Sequence, residues 1–177
     1  MKTNCLNFAT SKNSRYSFLY GSELVIKQDI ADQILQSLKL AGFNDKVSLH
    51  QDELDKAEEI ISRNVGGSLF QEKLILHLKH TSGKFPEKIK MILENQHLYN
   101  SDNLALIVES SIEKTPASGA WIKYIDEQGL IVKCSKLKTN EEKIWLKRQL
   151  EFLPKSLLPM FGGSIFQNNE GNLLGQM

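Results

Sequence analysis

The side chains of this 177-residue chain best able to do chemistry are four histidines, two cysteines and scattered carboxylates, and their spacing excludes most chemistries. His77 and His80 straddle the end of an apolar run, where the imidazoles need not share a face, and neither has a Cys, Asp or Glu close by in sequence. They are expected at the surface rather than on a metal. Cys5 and Cys134 lack metal or redox spacing and are expected as two thiols of a reducing cytosol. No G-x-S-x-G elbow occurs. Asp52, Glu53, Asp55, Glu58 and Glu59 follow one another along one short helix and read as a solvated face with a negative first turn. No catalytic residue, metal site or cofactor is expected.

Gly21, after the first apolar run, invites a test for a phosphate-binding loop. Such a loop needs G-x-x-x-x-G-K-S/T, so that successive backbone N–H groups and a lysine can cradle phosphates. Here the segment is Gly21-Ser22-Glu23-Leu24-Val25-Ile26-Lys27-Gln28, with no second glycine, no Lys-Ser/Thr pair and a glutamate where phosphate would sit. Lys27 falls one turn inside a helix and is expected on a solvated face. Glu109, at the end of a later apolar run, is a lone carboxylate where a magnesium site would show an acidic pair.

One segment is built to touch another molecule. Gly66-Gly67-Ser68-Leu69-Phe70 ends a helix with two glycines and sets two large apolar side chains in a short turn. Either Leu69 and Phe70 fold back over the sheet edge, or they protrude as an anchor, since such a pair can carry much of an interface. Burying each would contribute roughly 1.5–3 kcal/mol. A near-copy, Gly162-Gly163-Ser164-Ile165-Phe166, has unrelated flanks and sits among Leu157, Leu158 and Phe161, which favours helical core.

The elements that must position these residues alternate in period. Tyr16–Tyr20, Val47–His50, Lys73–Leu78, Leu104–Val108 and Leu130–Cys134 read as strands. Between them lie four amphipathic helices. The first carries Ile26, Ile30, Ile34 and Leu38, flanked by Val25, Ala31 and Leu35. The second, which Asp52 can cap, carries Leu54, Ala57, Ile61 and Val65; the third starts near Pro86 with Ile89, Ile92 and Leu93; the fourth, which Ser118 can cap, carries Trp121, Ile122 and Ile125. The fold class predicted is α/β: a mainly parallel five-stranded sheet with helices on both faces, in residues 1–135. Residues 136–177 open with a polar connector. Over Ile144–Leu153 they then carry a helical stripe through Leu146, Leu150 and Leu153 and resemble the beginning of a small helical domain.

Composition fits this reading. A hydrophobic fraction of 41%, a charged fraction of 24% and a net charge of +1 suit a globular protein and disfavour a DNA-coating one. The apolar runs, about five residues at most, are far short of the roughly 20 that span a bilayer, and the N-terminus lacks a signal-peptide core, so a soluble cytoplasmic protein is expected.

The ordered set of motifs resembles the N-terminal half of the delta subunit of the bacterial DNA polymerase III clamp loader. The matching features are YSFLYGSE, Ala41-Gly42-Phe43, Ser68-Leu69-Phe70 ahead of an apolar strand, LALIVESS, Ala120-Trp121, and Trp145 followed by Glu170-Gly171-Asn172-Leu173-Leu174. The resemblance implies an ATPase-like fold without a P-loop that does not bind ATP. It also implies a Leu69–Phe70 anchor, shaped by Ser68, that enters a hydrophobic pocket of the ring-shaped sliding clamp (the beta subunit) and favours ring opening. Other clamp-loader subunits would be partners of a full-length chain, and DNA only an indirect one. Gly67 departs from the larger apolar residue often found there, which would weaken clamp affinity. The chain stops just after EGNLL, where family members continue into a helical collar, so it is expected to bind a clamp without assembling a loader. Two alternatives stand beside this reading: a degenerate nucleotide-binding ATPase relative, and a nucleic-acid-binding α/β domain using Lys84, Lys88 and Lys90.

Overall fold

The computed structural model describes residues 3–4, 15–65, 72–95, 101–115 and 119–151. Two units, residues 1–136 and 137–177, are taken separately. In the first, the strands are β1 (Thr3–Asn4), β2 (Tyr16–Tyr20), β3 (Asp45–His50), β4 (Leu74–His80), β5 (Leu104–Ser110) and β6 (Leu130–Lys133). The helices are α1 (Leu24–Leu40), α2 (Lys56–Val65), α3 (Glu87–Glu94) and α4 (Ala120–Gln128). The strands form one sheet in the order β1-β6-β2-β5-β4-β3, and every pairing is parallel. The five predicted strands are all present, and the two residues of β1 add a sixth at one edge.

Chain direction explains the layering. The connection β2–α1–β3 runs towards one edge of the sheet, whereas β3–α2–β4, β4–α3–β5 and β5–α4–β6 run back towards the other. Because parallel crossovers are right-handed, this reversal sets α1 on one face and α2, α3 and α4 on the opposite one. Successive strand residues point to opposite faces. Tyr16, Phe18, Leu76, Leu78, Leu106 and Val108 therefore share a core with Leu54, Ala57 and Ile61, with Ile89 and Leu93, and with Trp121 and Ile125. Trp121 anchors it, edge-on to Phe18 at 5.3 Å between ring centroids and stacked on Phe85 at 6.3 Å. On the α1 side, Ile26, Ile30, Ala31, Ile34, Leu35 and Leu38 are buried, as their spacing predicts. Val25, expected to flank that stripe, is exposed.

Helix ends follow local chemistry. The turn at 51–55 delays α2 until Lys56, and there Glu53 rather than Asp52 accepts the backbone N–H of His50, at 3.5 Å. Pro86 and Gly119 are the extended N-cap residues of α3 and α4; Ser118 lies outside the described residues. In the second unit, α5 (Thr139–Glu151) begins with Glu141 reaching back to the backbone N–H of Lys138 at 2.8 Å, half of a capping box. Of its expected apolar stripe, Leu150 is buried while Leu146 is exposed; Leu153 and the Gly162–Phe166 copy fall outside the described residues.

Candidate functional site

In an open parallel sheet, ligands bind outside the carboxyl ends of the strands where the direction of winding reverses. Here that point lies between β2 and β5. Two of the backbone N–H groups at this point, those of Gly21 and Glu23, are already bonded within the protein. Gly21, at φ +125°, turns the chain after β2, and a Cβ on it would lie 2.0 Å from the carbonyl oxygen of Cys134. Gly21 N–H donates to Ser110 O at 3.2 Å, and Glu23 N–H donates to Cys134 O at 3.2 Å. The first turn of α1 is thus drawn onto the ends of β5 and β6.

Lys27 completes this closure. It is 4% exposed, and its ammonium donates to the carbonyl oxygens of Gly21 and Ser110, both at 2.8 Å. Burial lowers its pKa from the ordinary lysine value, against the upward influence of Cys134, Glu109 and Glu113. The expectation of a solvated lysine is overturned: one turn into the helix, the side chain folds back towards the strand ends, where two carbonyls need a donor.

The histidines also depart from expectation, because both are buried. His77 Nε2 lies 2.6 Å from Glu109 Oε1, while its Nδ1 has no hydrogen-bond partner among the described residues. The partner invisible in local sequence comes from the neighbouring strand, where Lys79 is paired with Glu109. Burial would raise the Glu109 pKa, but the His77 hydrogen bond and the charges of His77, Lys79 and Lys27 outweigh it, leaving the carboxyl below its usual range. His80 Nε2 lies 2.7 Å from Ser82 O, and its Nδ1 lies 2.8 Å from Ser110 Oγ. A carbonyl only accepts, so Nε2 carries a proton and, in the neutral ring, the Ser110 hydroxyl donates to Nδ1. This Ser-His pair has the atoms of a nucleophile and base, but both residues are buried. Its geometry ties the ends of β4 and β5 together. Among the described residues, no three His, Cys, Asp or Glu side chains converge to hold a metal.

The opposite, amino end of the sheet carries a cleft. Its volume is about 280 Å³, and it is lined by Arg15, Leu38, Ala41, Phe43, Lys73 and Asp102, at the starts of β2, β4 and β5 and beyond the end of α1. Ser68, Leu69 and Phe70 lie outside the described residues. The chain on either side of them is fixed at this same end. Asn64 O in the last turn of α2 lies 3.4 Å from Ser101 Oγ, and Asp45 N–H donates to Lys73 O at 3.4 Å. Of the lysines considered for nucleic acid, Lys88 pairs with Asp55, and Lys90 pairs with Glu87 at 2.8 Å.

Lys27, His80 and Ser110 are the residues that sequence reading missed, together with the partnership of His77 and Glu109. A signal existed: polar residues inside runs read as buried on both faces require partners on the adjacent strand.

Comparison with known proteins places this architecture. A solved structure titled Bacillus subtilis DNA clamp loader delta protein (YqeN) superposes with a TM-score of 0.54 at 16% identity, covering 77% of this chain. The chain spans only 43% of that protein's length. AMPPCP-bound DnaA from Aquifex aeolicus gives a TM-score of 0.47 at 18% identity, over 89% of this chain and 52% of that one. A search of curated proteins finds no match. The family described as DNA polymerase III, delta subunit, matches residues 17–135, two thirds of the chain and nearly all of the α/β unit. The chain belongs to the delta subunit family of DNA polymerase III.

Proposed function

We propose that this chain is the clamp-binding part of a clamp-loader delta subunit, holding the sliding clamp through Leu69 and Phe70, with Ser68 shaping the turn, and favouring an open ring. It acts as a cytoplasmic, non-catalytic component: ATP hydrolysis belongs to other subunits of the loader, and DNA is met indirectly. Residues 136–177 belong to a helical lid-like domain appended to the α/β domain of residues 1–135. The observation that carries the reading is the family match across residues 17–135, which contains the Ser68-Leu69-Phe70 segment. Supporting it, the Lys27 ammonium, at the strand ends where an ATPase relative would take phosphate, is bonded to two backbone carbonyls. Two of the three lysines considered for nucleic acid are already ion-paired. Among the described residues no helix is long and apolar enough to cross a membrane.

Clamp capture tests the proposal. Immobilised cognate clamp should retain the wild-type chain, and Leu69→Ala/Phe70→Ala should lose about 3–6 kcal/mol of binding, given roughly 1.5–3 kcal/mol per buried large apolar side chain. Equal retention of two folded proteins would sink the anchor assignment.

A further inference from the structure

The cleft at the amino end of the sheet carries an inference that rests on this clamp-binding reading and extends it. Phe70 and Lys73 are three residues apart, so the chain between them spans at most about 10 Å. Whatever surface receives Leu69 and Phe70 therefore passes close to the mouth of this cleft.

The chemistry of the cleft is specific. Its floor is Leu38 and Phe43, both nearly inaccessible. Lys73 stands over the Phe43 ring at 5.3 Å and donates one hydrogen bond, to Ala41 O at 3.1 Å. No carboxylate among the described residues forms an ion pair with it. Arg15 divides Nη1 between Ser101 O and Asp102 Oδ1, both at 2.9 Å, and the Asp102 side chain is 93% exposed, so water screens that pair. A volume of about 280 Å³ lies below the roughly 300–1,000 Å³ of small-molecule pockets and suits one long side chain. Nearby carboxylates repel a polyanion: Asp102 lines the cleft, Glu72 precedes Lys73 in the chain and Asp45 N–H donates to Lys73 O, with the Glu72 pKa raised by its hydrogen bond to Asp45 and by that residue's charge. One carboxylate on an apolar stem fits; a nucleic-acid backbone does not.

We infer that this cleft is a second clamp contact, in which Lys73 and Arg15 receive an acidic side chain of the same protein that takes the Leu69–Phe70 pair. The stem lies on Phe43 and Leu38 while the carboxylate meets the ammonium and the guanidinium.

The test measures affinity and association rate of the full chain for purified clamp at low and moderate salt, with melting temperatures checking each fold. Lys73→Gln should weaken binding by about fivefold to tenfold and flatten its salt dependence, while Lys73→Arg stays within about twofold of wild type. Asp102→Asn, at an exposed position, should act in the opposite sense, raising the association rate by relieving Arg15. Unchanged affinity and salt response in Lys73→Gln, or weaker binding by Asp102→Asn, would overturn the second contact while leaving the anchor intact. Failure of the wild-type chain to bind clamp would overturn the clamp reading itself. Loss of DNA retention rather than clamp binding in Lys73→Gln would give the cleft to nucleic acid and refute the inference.

Discussion

Replacing Lys27 by methionine should destabilise the protein by about 2–4 kcal/mol. Methionine keeps the aliphatic stem and removes the ammonium, so packing changes little while two carbonyl oxygens, Gly21 O and Ser110 O, lose donors at 2.8 Å. Hydrogen bonds to a charged group contribute roughly 1.5–3 kcal/mol each, a gross loss of about 3–6 kcal/mol. Part of that returns, because the variant no longer holds an ammonium out of water, the cost that lowers the Lys27 pKa. The return is incomplete, since removing one charge from a buried set leaves the others uncompensated, and Glu109 loses a nearby cation. For a chain of 177 residues, about 2–4 °C of melting temperature accompanies each kcal/mol, so a fall of about 5–15 °C is expected. Urea titration followed by circular dichroism should show a lower midpoint with an unchanged slope. A variant within about 0.5 kcal/mol of wild type, or more stable, would refute the structural role of Lys27. So would saturable binding of labelled ATP to the wild type that Lys27→Ala abolishes, because the ammonium would then serve a phosphate.

Two further outcomes follow from the same region. Gly21→Ala should cost at least about 2 kcal/mol, visible as a large drop in melting temperature, because the new Cβ meets backbone at 2.0 Å and φ is +125°. Glu109 contributes stability that is present above the unfolded carboxyl value of 4.5 and is lost as pH falls through its lower folded value. Urea unfolding between about pH 6 and pH 3 should therefore show the gap between wild type and Glu109→Gln narrowing as pH falls; a constant gap would contradict the His77–Glu109 pairing.

Periodicity revealed the alternation of strands and helices because each element buries a face whose spacing is local: Ile26, Ile30, Ile34 and Leu38 announce α1 without reference to any other segment. The crevice was hidden because its bonds are not local. Lys27 and Ser110 are 83 residues apart, His77 and Glu109 are 32 apart, and His80 and Ser110 are 30 apart. Only strand order brings them together, and β5 must first be placed beside both β2 and β4. Val25 and Lys27 show a second difficulty. They occupy the margins of the α1 stripe, where hydropathy would bury the valine and expose the lysine. Carbonyl oxygens at the strand ends reverse the outcome for the lysine, for a reason no helix pattern contains. Trp121, by contrast, was legible at once, since a large aromatic on an amphipathic helix has few places to go but the sheet.

The closed crevice also bears on how easily such a chain could change its trade. Opening it to a phosphate would require withdrawing Lys27, releasing the turn at Gly21 from Cys134, and parting His80 from Ser110. Each change taken alone leaves a polar hole with nothing yet to occupy it, so every single-step intermediate is less stable than its parent. New behaviour is therefore more easily found at the amino end, where substitutions alter a surface without first breaking the interior.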